Sequence, residues 1–259
     1  VIAGSRELGG AALLAGVAAL RAGAGKLQIG TAASLSTAIA IAVPEARVVG
    51  YPETDEGDIA EAGIAPLIEW AKMAQAVAIG CGLRHGPALE ALLAGLLGCG
   101  AFIPLVLDAA ALECLGPLED RVRRWDGGTI LLPHAGEMAK LLGRDRGAVE
   151  ADPGEAAIEA ANRFNAVALV KGRFSFIASP QGDLFRLEGG GVGLATSGSG
   201  DTLSGIVGGL CARGADPLSA TLWGVWLHAQ AGRILTRKVG RVGFLAREIP
   251  DLIPGLLSD

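Results

Sequence analysis

Short apolar runs rich in β-branched residues alternate with longer Ala/Leu-rich stretches along most of this chain. Runs of three or four such residues bounded by Gly, Pro or polar groups read as buried strands, and the longer stretches read as helices. The pattern predicts strands at residues 1–3, 27–29, 47–49, 76–79, 104–107, 129–132 and 167–170, with helices at 11–22, 87–97, 137–142 and 155–164. Strands that are apolar at nearly every position, separated by helices, imply a parallel sheet covered on both faces. After Lys171 the pattern changes: 174–178 and 184–187 flank a Pro-Gln-Gly-Asp turn and read as an antiparallel hairpin. Two further helices are predicted at 201–211 and 217–235. No linker, low-complexity tract or internal repeat interrupts the series, so residues 1–259 read as one domain.

Composition narrows the function classes. Hydrophobic residues make up 51% and charged residues 19%, enough for a large core. Twenty-two basic against 27 acidic side chains give a net charge of -5, which argues against a nucleic-acid surface but leaves room for a local phosphate pocket. No apolar run approaches the roughly 18 residues of a membrane span, so no membrane partner is expected. The chain opens on Val-Ile-Ala-Gly, without Met or a basic n-region. That is no signal peptide, and it reads as a start inside the natural domain, truncated at the N-terminus. Cys81, Cys99, Cys114 and Cys211 are scattered without C-x-x-C or zinc-ligand spacing, the usage of reduced thiols in a cytoplasmic protein. His85, His134 and His228 form no H-E-x-x-H, which disfavours a zinc hydrolase.

In open parallel sheets, ligands sit beyond the carboxyl ends of the strands. Here those ends carry Gly4-Ser5, Gly80-Cys81-Gly82, Asp108, Pro133-His134 and Lys171-Gly172. The densest signal is the run Ala-Thr-Ser-Gly-Ser-Gly-Asp ending at Asp201, ahead of an apolar helix. Small residues point several N–H groups into one hollow and the helix end adds partial positive charge, a phosphate site. Asp201 at that helix start can take a proton from a substrate hydroxyl as its oxygen attacks a terminal phosphate. It can equally be an N-cap. His134 and Asp108 can likewise be caps. Lys171 either meets phosphate as a point charge or snorkels to solvent. Glu137 suits a first helical turn in any case. Trp223 and Trp226 at helical spacing read as core or subunit contact. There is neither a Walker A loop nor a G-x-G-x-x-G fingerprint after the first strand.

Gly-Ser-Gly-Asp201 at the head of a late helix resembles the anion hole and catalytic aspartate of the ribokinase-like superfamily. The remaining motifs narrow the resemblance. Gly4-Ser5 with the Ala/Gly-rich 10–25 stretch, Ile79-Gly80-Cys81-Gly82-Leu83, Val106-Leu107-Asp108-Ala109, Pro133-His134-Ala135-Gly136-Glu137 and Val170-Lys171-Gly172 are similar, in order, to the ADP/ATP-dependent NAD(P)H-hydrate dehydratases. The resemblance implies an α/β ribokinase-like three-layer sandwich with a mostly parallel central sheet and helices on both faces. It implies a lyase that phosphorylates the hydroxyl of hydrated NADH or NADPH with ADP or ATP and Mg²⁺, then eliminates phosphate. Asp201 and Gly200 would be catalytic, as base and anion hole. Ala11, Gly80, Gly82 and His134 would join Asp201 around the hydrated nicotinamide. Lys171, Gly172, Arg173, Phe174 and Ser175, with Gly198, Ser199 and Gly200, would hold the nucleotide, and Asp108 the metal. A homo-oligomer, a tetramer among the options, is a further expectation from the family, as is an epimerase domain fused upstream in some members.

The chain departs from the family pattern at Arg6-Glu7-Leu8 (a tyrosine is usual), Cys81 (Pro), Ala110 (the second Asp of D-A-D), Ala135 (Pro) and residues 191–194 (N-P-G-M). These changes concentrate near the acceptor. They keep two alternatives open: an ATP-dependent kinase of a small alcohol such as a sugar or vitamin precursor, and a catalytically degenerate nucleotide-binding relative.

Overall fold

A computed structural model describes residues 1–258. The chain begins with α1 (Gly9–Arg21), β1 (Leu27–Ala32), α2 (Ala33–Ala42), β2 (Ala46–Tyr51) and α3 (Ile64–Ala71). It continues through β3 (Val77–Ile79), α4 (Pro87–Leu97), β4 (Leu105–Leu107), α5 (Ala110–Glu113), α6 (Glu119–Arg123) and β5 (Thr129–Leu131). Then come α7 (Ala135–Leu142), α8 (Arg146–Ala151), α9 (Pro153–Phe164), β6 (Val167–Val170), β7 (Phe174–Ala178) and β8 (Leu184–Glu188). The chain closes with α10 (Ser199–Ala212), α11 (Pro217–Lys238) and α12 (Ile253–Leu256).

Strands β3 to β6 run parallel in sequence order, and β7 and β8 extend them antiparallel as the predicted hairpin. The first predicted strand is reduced to a single bridging residue. Ile2 pairs in parallel with Gly30 on one side and Ile79 on the other. That one residue joins the β1–β2 pair to the six-stranded sheet, and its N–H donates to Ala78 O at 2.8 Å.

Alternation along the strands builds two cores. Val77, Ile79, Leu105, Leu107, Leu131, Ala168 and Val170 face helices α3 to α9. Ala78, Val106, Ile130, Leu132, Val167 and Leu169 face α10, α11 and the end of α1. A third cluster packs α1 and α2 on β1 through Ala12, Ala15, Ile29 and Ile39. The result is the expected α/β sandwich of three layers. Helix starts follow local chemistry: Asp152 caps α9 and Asp216 caps α11, each with Pro at the first helical position. Helices α1 and α10 approach closely because Gly205 has no side chain, where a methyl would strike the carbonyl of Ala15.

The sequence pattern does not predict helices α2, α3, α5, α6, α8 or α12. In α2 the Ala38-Ile39-Ala40-Ile41 alternation has strand period, and only Ile39 is buried while Ile41 is 76% exposed.

Candidate active site

The polar strand ends named above converge at one edge of the sheet, under the head of α10. Lys171 follows β6 and pairs with His134 in an isolated parallel bridge, its N–H donating to Pro133 O at 2.9 Å. The Lys171 Nζ then donates to Asp108 Oδ1 at 2.9 Å. Asp108, at the end of β4, also accepts from the N–H of Ala109 at 2.9 Å, and Ala109 is held at φ +48, a region residues with a side chain rarely visit. Gly80 at the end of β3 lies against the same turn: its φ is +122, and a methyl there would strike the Asp108 carbonyl. Gly82 abuts Ala11 and Leu8 in the same way, and the Gly4 N–H donates to Cys81 O at 2.9 Å. Ala11, Gly80 and Gly82 therefore form one backbone-lined wall around buried Cys81.

Helix α10 begins at Ser199, two residues earlier than expected. Its N-cap is Gly198 at φ +85, and no side chain caps the turn. Asp201 is consequently not a cap. It sits in the first turn, half-buried, with its carboxyl toward the Cys81 thiol. An uncapped helix start leaves N–H groups free to bind an anion. Gly200 overhangs the ion pair: the position of an added Cβ is 3.5 Å from Lys171 Nζ and 3.9 Å from Asp108 Oδ2.

The electrostatics follow from this crowding. Burial pushes Asp108 up to about 6, against the pull of Lys171. Burial works to lower Lys171, but Asp108 and Glu137 outweigh it and hold the ammonium above its usual value. Burial also raises Asp201, partly offset by the Cys81 thiol and Lys171. The Cys81 thiol itself is pushed far up by burial, then by Asp108 and Asp201, so it stays protonated. Asp201 is thus a carboxylate whose affinity for a proton exceeds that of an exposed one.

A cavity of about 1020 Å³ opens beside Gly200, and His134, Lys171, Gly172, Arg173, Ser175 and Ser199 line it with Gly200 itself. Phe174 does not line it. Its ring is a platform for Arg186, 3.9 Å above it, and for Arg173 at 5.5 Å. Gly198 shapes the turn from outside, packed on Leu14. His134 is indeed a cap: its Nδ1 accepts from the N–H groups of Gly136 and Glu137 at 3.0 and 3.1 Å, and Glu137 returns a bond to the His134 N–H at 2.8 Å. His134 also lines the cavity, and with Nδ1 accepting, the neutral ring carries its proton on Nε2, 3.6 Å from Glu137 Oε1.

Two basic side chains on the cavity wall, His228 and Arg241, are not among the residues the sequence points to. His228 of α11 places Nε2 at 3.0 Å from Ser199 Oγ and 3.1 Å from Ser199 O, and burial holds it down to about 4, hence neutral. Arg241 contributes a cation from the loop after α11. A polar residue inside the apolar stretch 220–231 was the available signal for His228; Arg241 lies in a loop with no motif around it.

A family profile described as NAD(P)H-hydrate dehydratase matches residues 1–255. The ADP-dependent (S)-NAD(P)H-hydrate dehydratase of Xanthomonas campestris is 47% identical over 259 residues, covering 100% of this chain and 87% of that protein. A bifunctional NAD(P)H-hydrate repair enzyme of Moorella thermoacetica is 37% identical over 259 residues, and the chain spans 48% of its length. Among solved structures, the ADP/ATP-dependent NAD(P)H-hydrate dehydratase of Bacillus subtilis, co-crystallised with ATP/Mg²⁺, superposes with a TM-score of 0.83 at 31% identity, over 99% of this chain and 87% of that one. The order of strand-end motifs, the uncapped head of α10 and these matches agree: the chain belongs to the NAD(P)H-hydrate dehydratase family.

Proposed function

We propose that this protein restores NADH and NADPH from their hydrated forms, using ADP or ATP to phosphorylate the added hydroxyl and then releasing phosphate. The observation that carries this reading is Asp201: half-buried in the first turn of an uncapped helix and raised in proton affinity, it follows Gly200 of the cavity wall and turns its carboxyl toward Cys81. Hydrated nicotinamide lies against Ala11, Gly80 and Gly82, with His134 donating from Nε2. The nucleotide occupies the cavity, its terminal phosphate at Gly200 and Ser199 over Gly198, and the rest along Lys171, Gly172, Arg173 and Ser175. Phe174 acts indirectly, holding Arg173.

Asp201 takes the proton of the hydroxyl while its oxygen attacks the terminal phosphorus, and the bond to the leaving nucleotide breaks. The N–H groups at the head of α10 and the Lys171 ammonium meet the charge on the transferring group. The phosphate then leaves with the ring C–O bond, a neighbouring ring proton is lost, and the dihydronicotinamide returns. A Mg²⁺ ion arriving with the nucleotide would supply charge neutralisation on its phosphates. Asp108 fits a role beside such an ion through Oδ2, since its Oδ1 is already committed to Lys171 and Ala109.

The compartment in this reading is the cytoplasm, in keeping with four free cysteines. No helix among the described residues is long and apolar enough to cross a membrane. Self-association is part of the proposal as well. Trp223 is 56% exposed and stacks edge-on against Trp226 at 5.4 Å, an aromatic pair suited to a contact between copies. Phosphate accounting tests the reaction: inorganic phosphate should appear in equal amount to recovered dihydronicotinamide. A stable phosphorylated product without recovery would instead fit a kinase.

A further inference from the structure

Away from that site, His85, Glu90 and Cys114 bring one imidazole nitrogen, one carboxylate oxygen and one thiol sulfur within 4.8 Å of one another. His85 ends the loop after β3, Glu90 stands in the first turn of α4, and Cys114 closes α5. Their sequence separation hides the set, because Cys114 lies 24 residues beyond Glu90. His85 Nε2 and Glu90 Oε1 are 3.2 Å apart and both half open to solvent, while Cys114 is buried beneath them.

A second cavity, of about 240 Å³, is lined by His85 and Asp58. Asp58 Oδ1 is buried without a hydrogen-bond partner, an acceptor left open beside that cavity.

We propose that His85, Glu90 and Cys114 form a zinc-binding site with water as fourth ligand. The donor set decides the metal. Mixed nitrogen, oxygen and sulfur donors suit Zn²⁺ in tetrahedral geometry, whereas Mg²⁺ takes oxygen ligands and keeps its waters. Binding replaces the Cys114 thiol proton by the metal, and that proton leaves to solvent. The bound ion ties the far end of the loop carrying Gly80, Cys81 and Gly82 to α5. The site is thus a clamp on the acceptor wall, separate from the nucleotide cavity.

Co²⁺ is the probe, added to the reduced, metal-free protein in the presence of excess Mg²⁺. The expected result is one Co²⁺ per chain, tetrahedral visible bands, and a near-ultraviolet sulfur-to-metal charge-transfer band. Cys114→Ser should abolish the charge-transfer band, and His85→Ala or Glu90→Gln should each abolish the one-per-chain binding. The last two alter exposed side chains, so they remain informative if Cys114→Ser folds poorly. Zn²⁺ should raise the Tm of the parent protein but not of His85→Ala. Absence of the charge-transfer band, its survival in Cys114→Ser, or Co²⁺ binding untouched by His85→Ala and Glu90→Gln would overturn the proposal.

Discussion

Lys171 and Asp108 reach across the end of β5 to form a 2.9 Å ion pair directly under the first turn of α10. The pair keeps the Lys171 ammonium charged, and the proposed reaction sets that cation beside the nucleotide phosphate. Removing one member leaves a buried charge alone, which typically costs 3–5 kcal/mol. Lys171 is 20% exposed against 3% for Asp108, which puts the loss for Lys171→Met at the lower end, about 3 kcal/mol at pH 8. Without Lys171 the Asp108 carboxyl rises above its paired value of about 6, so it escapes by protonation and the loss should shrink as pH falls from 8 toward 6. Urea titrations at both pH values check this. Asp108→Asn combined with Lys171→Met should recover much of the stability.

Gly80 and Gly200 should separate structure from binding. Gly80→Ala places a methyl into the Asp108 carbonyl at a φ of +122, and should destabilise by roughly 2 kcal/mol or more. Gly200→Ala meets only ordinary van der Waals distances, so its stability should change by less than about 0.5 kcal/mol. Its methyl nevertheless enters the space over Lys171, and nucleotide affinity should fall about tenfold, or 1.4 kcal/mol. Thermal melts paired with nucleotide titration calorimetry distinguish the two.

His134 is a cap, and the proposed reaction gives it a second role that different substitutions divide from the first. His134→Asn retains an N-cap acceptor and should leave stability within a few tenths of a kcal/mol, while His134→Ala should lose about 1 kcal/mol. Both lack the Nε2 donor, so both should raise KM for the hydrated nicotinamide. An unchanged KM in His134→Asn would reduce the residue to a cap.

The pH dependence has a definite sign for His228. Its pKa is lowered from 6.5 to about 4 in the folded protein. The stabilisation it contributes is therefore complete above pH 6.5 and is lost as pH falls toward 4. The loss should be on the order of 2 kcal/mol after allowing for its part exposure. His228→Gln removes the titration and should flatten stability across that window relative to the parent. Asp201, shifted the other way, should set the acid limb of kcat above the ordinary carboxylate range.

Much of this arrangement was legible in the chain. Buried parallel strands such as 105–107 and 167–170 are apolar on both faces, so their pattern reveals them and their order places the polar ends together. The hairpin was legible from its turn. What escaped depends on tertiary context. Ile2 makes a single bridge, too short to carry a period, yet it joins the sheet. Asp201 could not be told from a cap until Gly198 was seen to take that position in left-handed geometry. Phe174 matched a motif position, but its ring turns to the two arginines instead of the cavity.

The central claim is tested most directly by incubating the protein with hydrated NADH, Mg²⁺ and either ADP or ATP while following the dihydronicotinamide absorbance. The account predicts recovery that requires the nucleotide and disappears in Asp201→Ala, with nucleotide binding retained in that variant. Recovery that persists in Asp201→Ala, or no recovery in a parent protein that binds nucleotide, would contradict it.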